Sequence, residues 1–299
     1  MFKHIIVPLD GSEMAEAALP AALYFAQCFS AKISLIHLIE KGLPQSVHEQ
    51  QHLHKDTEAV AYLMKIAASF PQGTNVDYHV HSDEVSHVAQ SIVDHSMIEL
   101  NSDLVIMCTH GGDDIRRFVV GSIAQQVIAR GTVPVLVVHA TEGYSDTFAC
   151  KKILVPLDGQ RKHGDIAEPA AQIARCCSAT IRLISVVPTF DTIPGKWIQV
   201  GRLLPGTTSK MLDIETEEIG DFLHEKTSAL KATGIAAEYK VLRGNPGHMI
   251  SVDAEESSSD IILMATHGKA GMSALWEGSV AAKVMSECKK PIMLLPLAD

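Results

Sequence analysis

No apolar run in the 299 residues reaches the roughly 18 positions that a helix needs to cross a bilayer. Positive charge is also in short supply. The formal net charge of −10 means that neither a nucleic acid nor an anionic membrane would be attracted over the surface as a whole. Cysteine is sparse: six residues, no Cys-x-x-Cys spacing and one adjacent pair, Cys176-Cys177, which predicts a reduced cytoplasmic protein without a disulfide framework. The chain enters an apolar strand pattern at Met-Phe-Lys-His-Ile-Ile-Val-Pro, so no export signal is expected. The signatures of fast group transfer are missing as well. There is no G-x-S-x-G, no G-x4-G-K-[ST] and no Ser/His/Asp arrangement, which leaves no nucleophile, base or phosphate-reaching lysine to assign.

What the chain does contain, it contains twice. Lys3–Gly11 (KHIIVPLDG) returns 148 positions later as Lys151–Gly159 (KKILVPLDG), with seven of nine residues identical. Further on, Thr109-His110-Gly111, nine residues and Gly121-Ser122 return 157 positions later as Thr266-His267-Gly268, nine residues and Gly278-Ser279. Asp103 and Asp260 precede these stretches, and Pro134 and Pro291 follow them, at matching offsets. The difference between the two offsets places nine extra residues in the second copy, assigned mostly to the Pro- and Gly-rich 188–208. Such self-similarity is a duplicated domain, with expected bounds of 1–143 and 150–299.

Each copy alternates short apolar runs with helical patterns. Strands are predicted at 4–9, 32–39, 75–81, 103–108 and 134–139, with helices at 13–29, 47–69, 84–100 and 121–130. The second copy has strands near 152–157, 180–187, 235–242, 260–265 and 291–296. Alternation of this kind gives a parallel sheet covered by helices on both faces, a doubly wound α/β domain. With five strands in the order 3-2-1-4-5, strands one and four are neighbours, and ligands bind beyond their C-terminal ends. Asp10 and Asp158 end strand one; the Thr-His-Gly loops end strand four. Two stretches far apart in sequence are thus expected to meet at one crevice in each half. Glycine followed by a Ser-opened helix leaves free backbone N–H groups there, which suit a phosphate.

In these residues the chain resembles the universal stress protein family in its tandem two-domain form, over essentially its whole length. Nucleotide-binding members carry G-x2-G-x9-G-[S/T] after strand four and an Asp after strand one. This chain departs from that pattern at the first glycine, with Cys108 in one half and Ala265 in the other, and Gln160 replaces the serine of the opening Asp-Gly-Ser. Gly244-Asn245-Pro246 matches the family's Gly-x-Pro, while Ser82-Asp83-Glu84 stands in its expected place in the first half. The resemblance implies a site for ATP or a related adenine nucleotide, with or without Mg²⁺. Adenine and ribose would lie at Pro156, Asp158 and Val186, and the phosphates at Gly268, Gly278 and Ser279, bordered by Ala265, His267 and Val280. The first half offers Pro8, Asp10, Leu38, Gly111, Gly121 and Ser122. Asp113 and Asp114 in its loop would repel phosphate unless Mg²⁺ or Arg116 and Arg117 neutralise them, so the second half is the expected better site. Such a protein would be a stress-response regulator with at most slow ATP hydrolysis. Its two halves would pair through their final strands, and two chains could form a homodimer.

Other readings stay open. The crevices could have decayed, leaving an interaction scaffold. Asp10 and Asp158 fit turn residues or ligand contacts better than catalytic bases, and His110 and His267 fit packing as well as phosphate contact. His48, His52 and His54 on one predicted helix, and a looser set of His79, His81, His87 and His95, have metal-ligating chemistry but no obvious partners. A solvated face is the default for both, and no metal site is assigned. Cys176 and Cys177 read as helix packing.

Overall fold

The computed structural model describes residues 1–41, 46–47, 50–51, 53, 55–109, 122–130, 132–140, 147–159, 166–193, 203–267 and 279–297. Gly111, Gly121, Gly268 and Gly278, together with His48, His52, His54, His110 and Trp197, lie outside these residues. The chain forms two compact units, one built on Met1–Ala149 and the other on Cys150–Ala265.

In the first unit, β1 (His4–Pro8), β2 (Lys32–Glu40), β3 (Val76–Val85), β4 (Leu104–Thr109) and β5 (Val135–His139) lie in the order β3-β2-β1-β4-β5. All neighbouring pairs are parallel. Ile5, Ile6 and Val7 at the centre are fully buried, as a strand covered on both faces must be. Helices α1 (Glu13–Glu16), α2 (Leu19–Phe29), α3 (Asp56–Ser69), α4 (Val88–Asp94) and α5 (Ser122–Arg130) make the crossovers.

The second unit repeats the plan. Strands β6 (Lys152–Pro156), β7 (Thr180–Val187), β8 (Ala237–Arg243) and β9 (Ile261–His267) follow the order β8-β7-β6-β9. Helices α6 (Ala167–Cys177), α7 (Pro205–Ala232), α8 (Pro246–Glu256) and α9 (Val280–Glu287) connect them. The chain's last strand, β10 (Ile292–Leu297), pairs antiparallel with β5, Met293 opposite Leu136, and Pro291–Pro296 belongs to the first compact unit. It covers an apolar edge that would otherwise invite association.

The duplication reaches the backbone. The non-glycine residues with left-handed φ come in pairs at the two repeat offsets, Ser30 and Ser178 at helix C-termini and Asn101 and Ser258 before strand four. The aspartates that open the strand-four stretch have a structural role in both copies. Asp103 accepts the N–H groups of Lys3 (2.8 and 3.0 Å) and His4 (3.0 Å), and Asp260 those of Lys151 (2.7 Å) and Lys152 (2.8 Å).

Three predicted boundaries are corrected. The helix over 13–29 breaks after Glu16, because Pro20 lacks an N–H and its ring crowds the carbonyl four residues back; it restarts as α2 with Pro20 in its first turn. The helix over 47–69 begins only at Asp56, and residues 46–47 and 50–51 pair as short strands instead. Strand β3 runs to Val85, so Ser82-Asp83-Glu84 continue a strand and do not form the turn before helix three. Buried Val85 anchors that extension opposite Glu40, across a register shift after Leu38.

Candidate functional site

Parallel pairing brings strands one and four side by side in both units, Ile5 beside Leu104 and Ile153 beside Ile261. The loops carrying Asp10 and Asp158 therefore leave the sheet next to the ends of β4 and β9. In the first unit the convergence is also electrostatic. The Cys108 thiol is pushed up to about 12, first by burial and further by the carboxylate of Asp10. Cys108 is thus a neutral, half-buried group where nucleotide-binding relatives are expected to have glycine.

Both aspartate loops turn on a glycine in left-handed conformation, φ +92° at Gly11 and +74° at Gly159. An added Cβ would sit 2.9 Å from Leu53 Cδ1 at the first and 2.9 Å from Ile219 Cγ1 at the second. An aliphatic side chain from the second crossover thus closes on each loop, and only glycine fits beneath it. Asp10 is also held by its own loop: Oδ1 accepts Ser12 N–H at 2.9 Å and Ser12 Oγ–H at 2.6 Å, while Ser12 Oγ caps α1. Asp158 is exposed. Pro8, Leu38, Pro156 and Val186 are half-buried at the C-terminal ends of strands one and two.

The second unit builds more around its crevice. Helix α7 has 28 residues and is about 42 Å long, against about 23 Å for a seven-residue strand, so its N-terminal turns overrun the sheet. They overrun it at the C-terminal edge, where Ile219 covers Gly159 and Arg243, at the end of β8, bonds Thr216 at 3.0 Å. Between them lies a cavity of about 520 Å³ lined by Asp158, Gly159, Glu215, Glu218, Ile219, Asp221 and Phe222. Four carboxylates face it, which suits hydroxyl and amine donors or a cation and repels phosphate. Helix α3, the first unit's counterpart, has 14 residues.

On the strand-four side, Ala265 is half-buried at the end of β9, and Thr266 follows it, buried; His267 ends the strand. Ser279 caps α9, accepting Ala282 N–H at 3.1 Å, and Val280 is exposed behind it. One turn on, Lys283 Nζ donates to Asn245 Oδ1 at 2.8 Å, and Asn245 itself caps α8 through His248 N–H at 3.4 Å. The lysine stem lies so close over Gly247 that a Cβ there would meet its Cβ at 2.8 Å. Lys283 thus adds a cation beside a helix N-terminus, where sequence reading found none. In the first unit Ser122 begins α5, exposed, and the residue at the position of Lys283 is Gln126.

Of the histidines singled out from sequence, His79, His81 and His95 come together, one ring nitrogen of each within 4.8 Å of the others, and His87 stands apart from that group. Burial, and then the neighbouring His95, hold His79 below its ordinary value. Cys177 packs in the core and Cys176 is half-buried beside it.

The universal stress protein family model matches residues 1–139 and again 149–296. A universal stress protein of Mycolicibacterium smegmatis is 23% identical over 97% of this chain and 96% of its own length. One from Methanocaldococcus jannaschii is 29% identical over 48% of this chain and 81% of its own length. Among solved structures, a universal stress protein from Archaeoglobus fulgidus superposes with a TM-score of 0.64 at 17% identity, over 99% of this chain and 97% of that one. A functionally unknown protein from Pseudomonas aeruginosa PAO1 gives 0.68 at 17% identity, over 99% of this chain and 92% of that one. At these identities the structures establish the fold. Among the described residues, no helix is long and apolar enough to cross a membrane.

Proposed function

The chain belongs to the universal stress protein family, and from that premise we propose that it binds ATP or a related adenine nucleotide in the cytoplasm as a regulatory or sensory ligand of the stress response, without efficient turnover. The observation that carries this reading is that the strand leading to the aspartate loop and the strand leading to the Gly-x9-Gly-Ser stretch are parallel neighbours, twice in one chain. The second unit is the stronger site. Its described residues divide by charge in the way a nucleotide does. Asp158 and the carboxylate-lined cavity suit ribose hydroxyls and the amino edge of adenine. The first-turn N–H groups of α9 at Val280 and Ala281 lack intrahelical acceptors and, with Lys283, suit phosphate. Bound ATP would supply a concentrated negative charge, which Lys283 and a Mg²⁺ ion would neutralise. Among the described residues nothing in this arrangement activates water or a nucleophile, and turnover much above one per second is not part of this reading.

The specific observation favouring a scaffold with decayed sites is the closure over Gly159: Ile219 and three carboxylates of α7 crowd the mouth beside Asp158. Calorimetric titration of the purified chain with Mg-ATP separates the two readings. Saturable binding weakened by Lys283→Met supports the nucleotide reading. Absence of binding up to millimolar ATP supports the scaffold.

A further inference from the structure

Side chains of strand three reach across to helix three or the turn that ends it in both units, and the same register positions carry different chemistry. In the second unit Lys240 lies opposite Ile184 on β8, and Arg182 lies on β7. Both reach Asp253 on α8, a carboxylate only 1% exposed. Arg182 donates from Nε (2.7 Å) and Nη2 (2.9 Å) and Lys240 from Nζ (3.2 Å). In the first unit the residue opposite Ile36, the counterpart of Ile184, is His79. His81 is two residues further along β3, on the same face. The helix across from them supplies His95, where α4 gives way to a π-turn spanning His95–Glu99.

His95 is 2% exposed, and its Nδ1 lies 2.8 Å from the Ser91 carbonyl, which can only accept, so Nδ1 carries the proton. The lone pair of the neutral ring is then on Nε2, which is buried without a hydrogen-bond partner. Glu99 Oε2 lies 3.4 Å from it, outside hydrogen-bonding geometry. Two lone-pair atoms facing each other repel unless a proton or a metal ion stands between them. A carbonyl fixing the far nitrogen of an imidazole is also how metal-ligating histidines are oriented, and π-turns cluster at functional sites.

We propose that His79, His81 and His95, with Glu99 as the fourth ligand, bind one divalent transition metal ion of the zinc class. Three imidazole nitrogens and a carboxylate oxygen make a tetrahedral set of borderline ligands. Tetrahedral zinc at ~2.0–2.1 Å from each nitrogen places the nitrogens about 3.4 Å apart. Their present separations, within 4.8 Å, close to that by small ring rotations, which the exposed His79 and half-buried His81 are free to make. The ion would do for the first unit what Arg182 and Lys240 do for the second: join helix three to strand three through buried charge.

The test is a titration of chelator-treated, full-length protein with Co²⁺, read by visible absorption, and with Zn²⁺ as competitor. The expected result is one equivalent of Co²⁺ with the intense absorption of a tetrahedral site, displaced by Zn²⁺. Affinity should fall at least tenfold in His79→Gln and in His81→Gln. Both side chains reach the surface, so these variants are expected to keep the wild-type circular dichroism. Absence of Co²⁺ and Zn²⁺ binding at micromolar metal overturns the proposal. So does binding with an unchanged spectrum in both variants, which would place the ion on other residues.

Discussion

The two units share a strand order, a pattern of left-handed residues and an aspartate clamp beneath strand four, and they differ where buried polar groups are placed. The first unit buries imidazoles. His37, His95 and His139 are each under 7% exposed. The second copy of the repeat has Ser185 and Pro296 at the positions of His37 and His139, and the second unit buries the carboxylate of Asp253 under Arg182 and Lys240. Burial works to raise the Asp253 carboxyl, and the bonds from Arg182 and Lys240 outweigh it, holding the group below its ordinary value. A duplicated fold thus tolerates two solutions to one packing problem. Titratable rings serve in one copy and permanent charges in the other, and the two should respond differently to pH, metals and truncation.

The largest effect that would break this contrast is loss of the carboxylate. Asp253→Ala removes two of the bonds of a guanidinium that is 13% exposed and leaves it only Glu238, at 2.9 Å, among its described carboxylate partners, so the loss should reach at most the about 3–5 kcal/mol of a broken buried pair. Urea unfolding should show this loss, whereas Asp103→Ala, which removes bonds from the backbone N–H groups of Lys3 and His4, should cost less.

Acid should act through His139. Burial holds His139 at about 4, against 6.5 for the free side chain. Below pH 6.5 an unfolded chain takes up a proton that the folded chain refuses. Stability is therefore full above about pH 6.5 and declines as pH falls towards 4, by about 3 kcal/mol in all. His139→Gln should flatten that part of a pH-dependent melting curve.

Much of this architecture was legible from sequence. Apolar runs bounded by Gly and Pro located the strands, and their order put strands one and four side by side. Features that depend on packing across the chain were not legible. Asn245 and Lys283 meet 38 residues apart because α8 lies against α9. The four-carboxylate cavity exists because α7 is long enough to reach past the sheet, and its opening residue Pro205 lies in the Pro- and Gly-rich 188–208 to which the extra residues are assigned. His79 and His81 lie in the strand predicted at 75–81, but their meeting with His95 was not legible, because that residue comes from the helix that follows.

Smaller effects sharpen the comparison of the crevices. Lys283→Met should weaken ATP binding about tenfold, equivalent to about 1.4 kcal/mol, and Gln126→Lys should strengthen any binding at the first unit, as read by calorimetry. Smallest is the cap of helix three. Asn245→Ala should cost about 1 kcal/mol in thermal stability. His87, which makes no side-chain cap bond to α4, should gain up to about that amount on replacement by Asn.

The most direct test of the account is mass spectrometry of the small molecules that the purified protein releases on denaturation, with Gly278→Val and Gly121→Val as comparisons. The account predicts an adenine nucleotide near one equivalent, lost in Gly278→Val and retained in Gly121→Val. Protein that releases no nucleotide and takes up no added ATP would contradict it, and the paired crevices would then be elements of a scaffold.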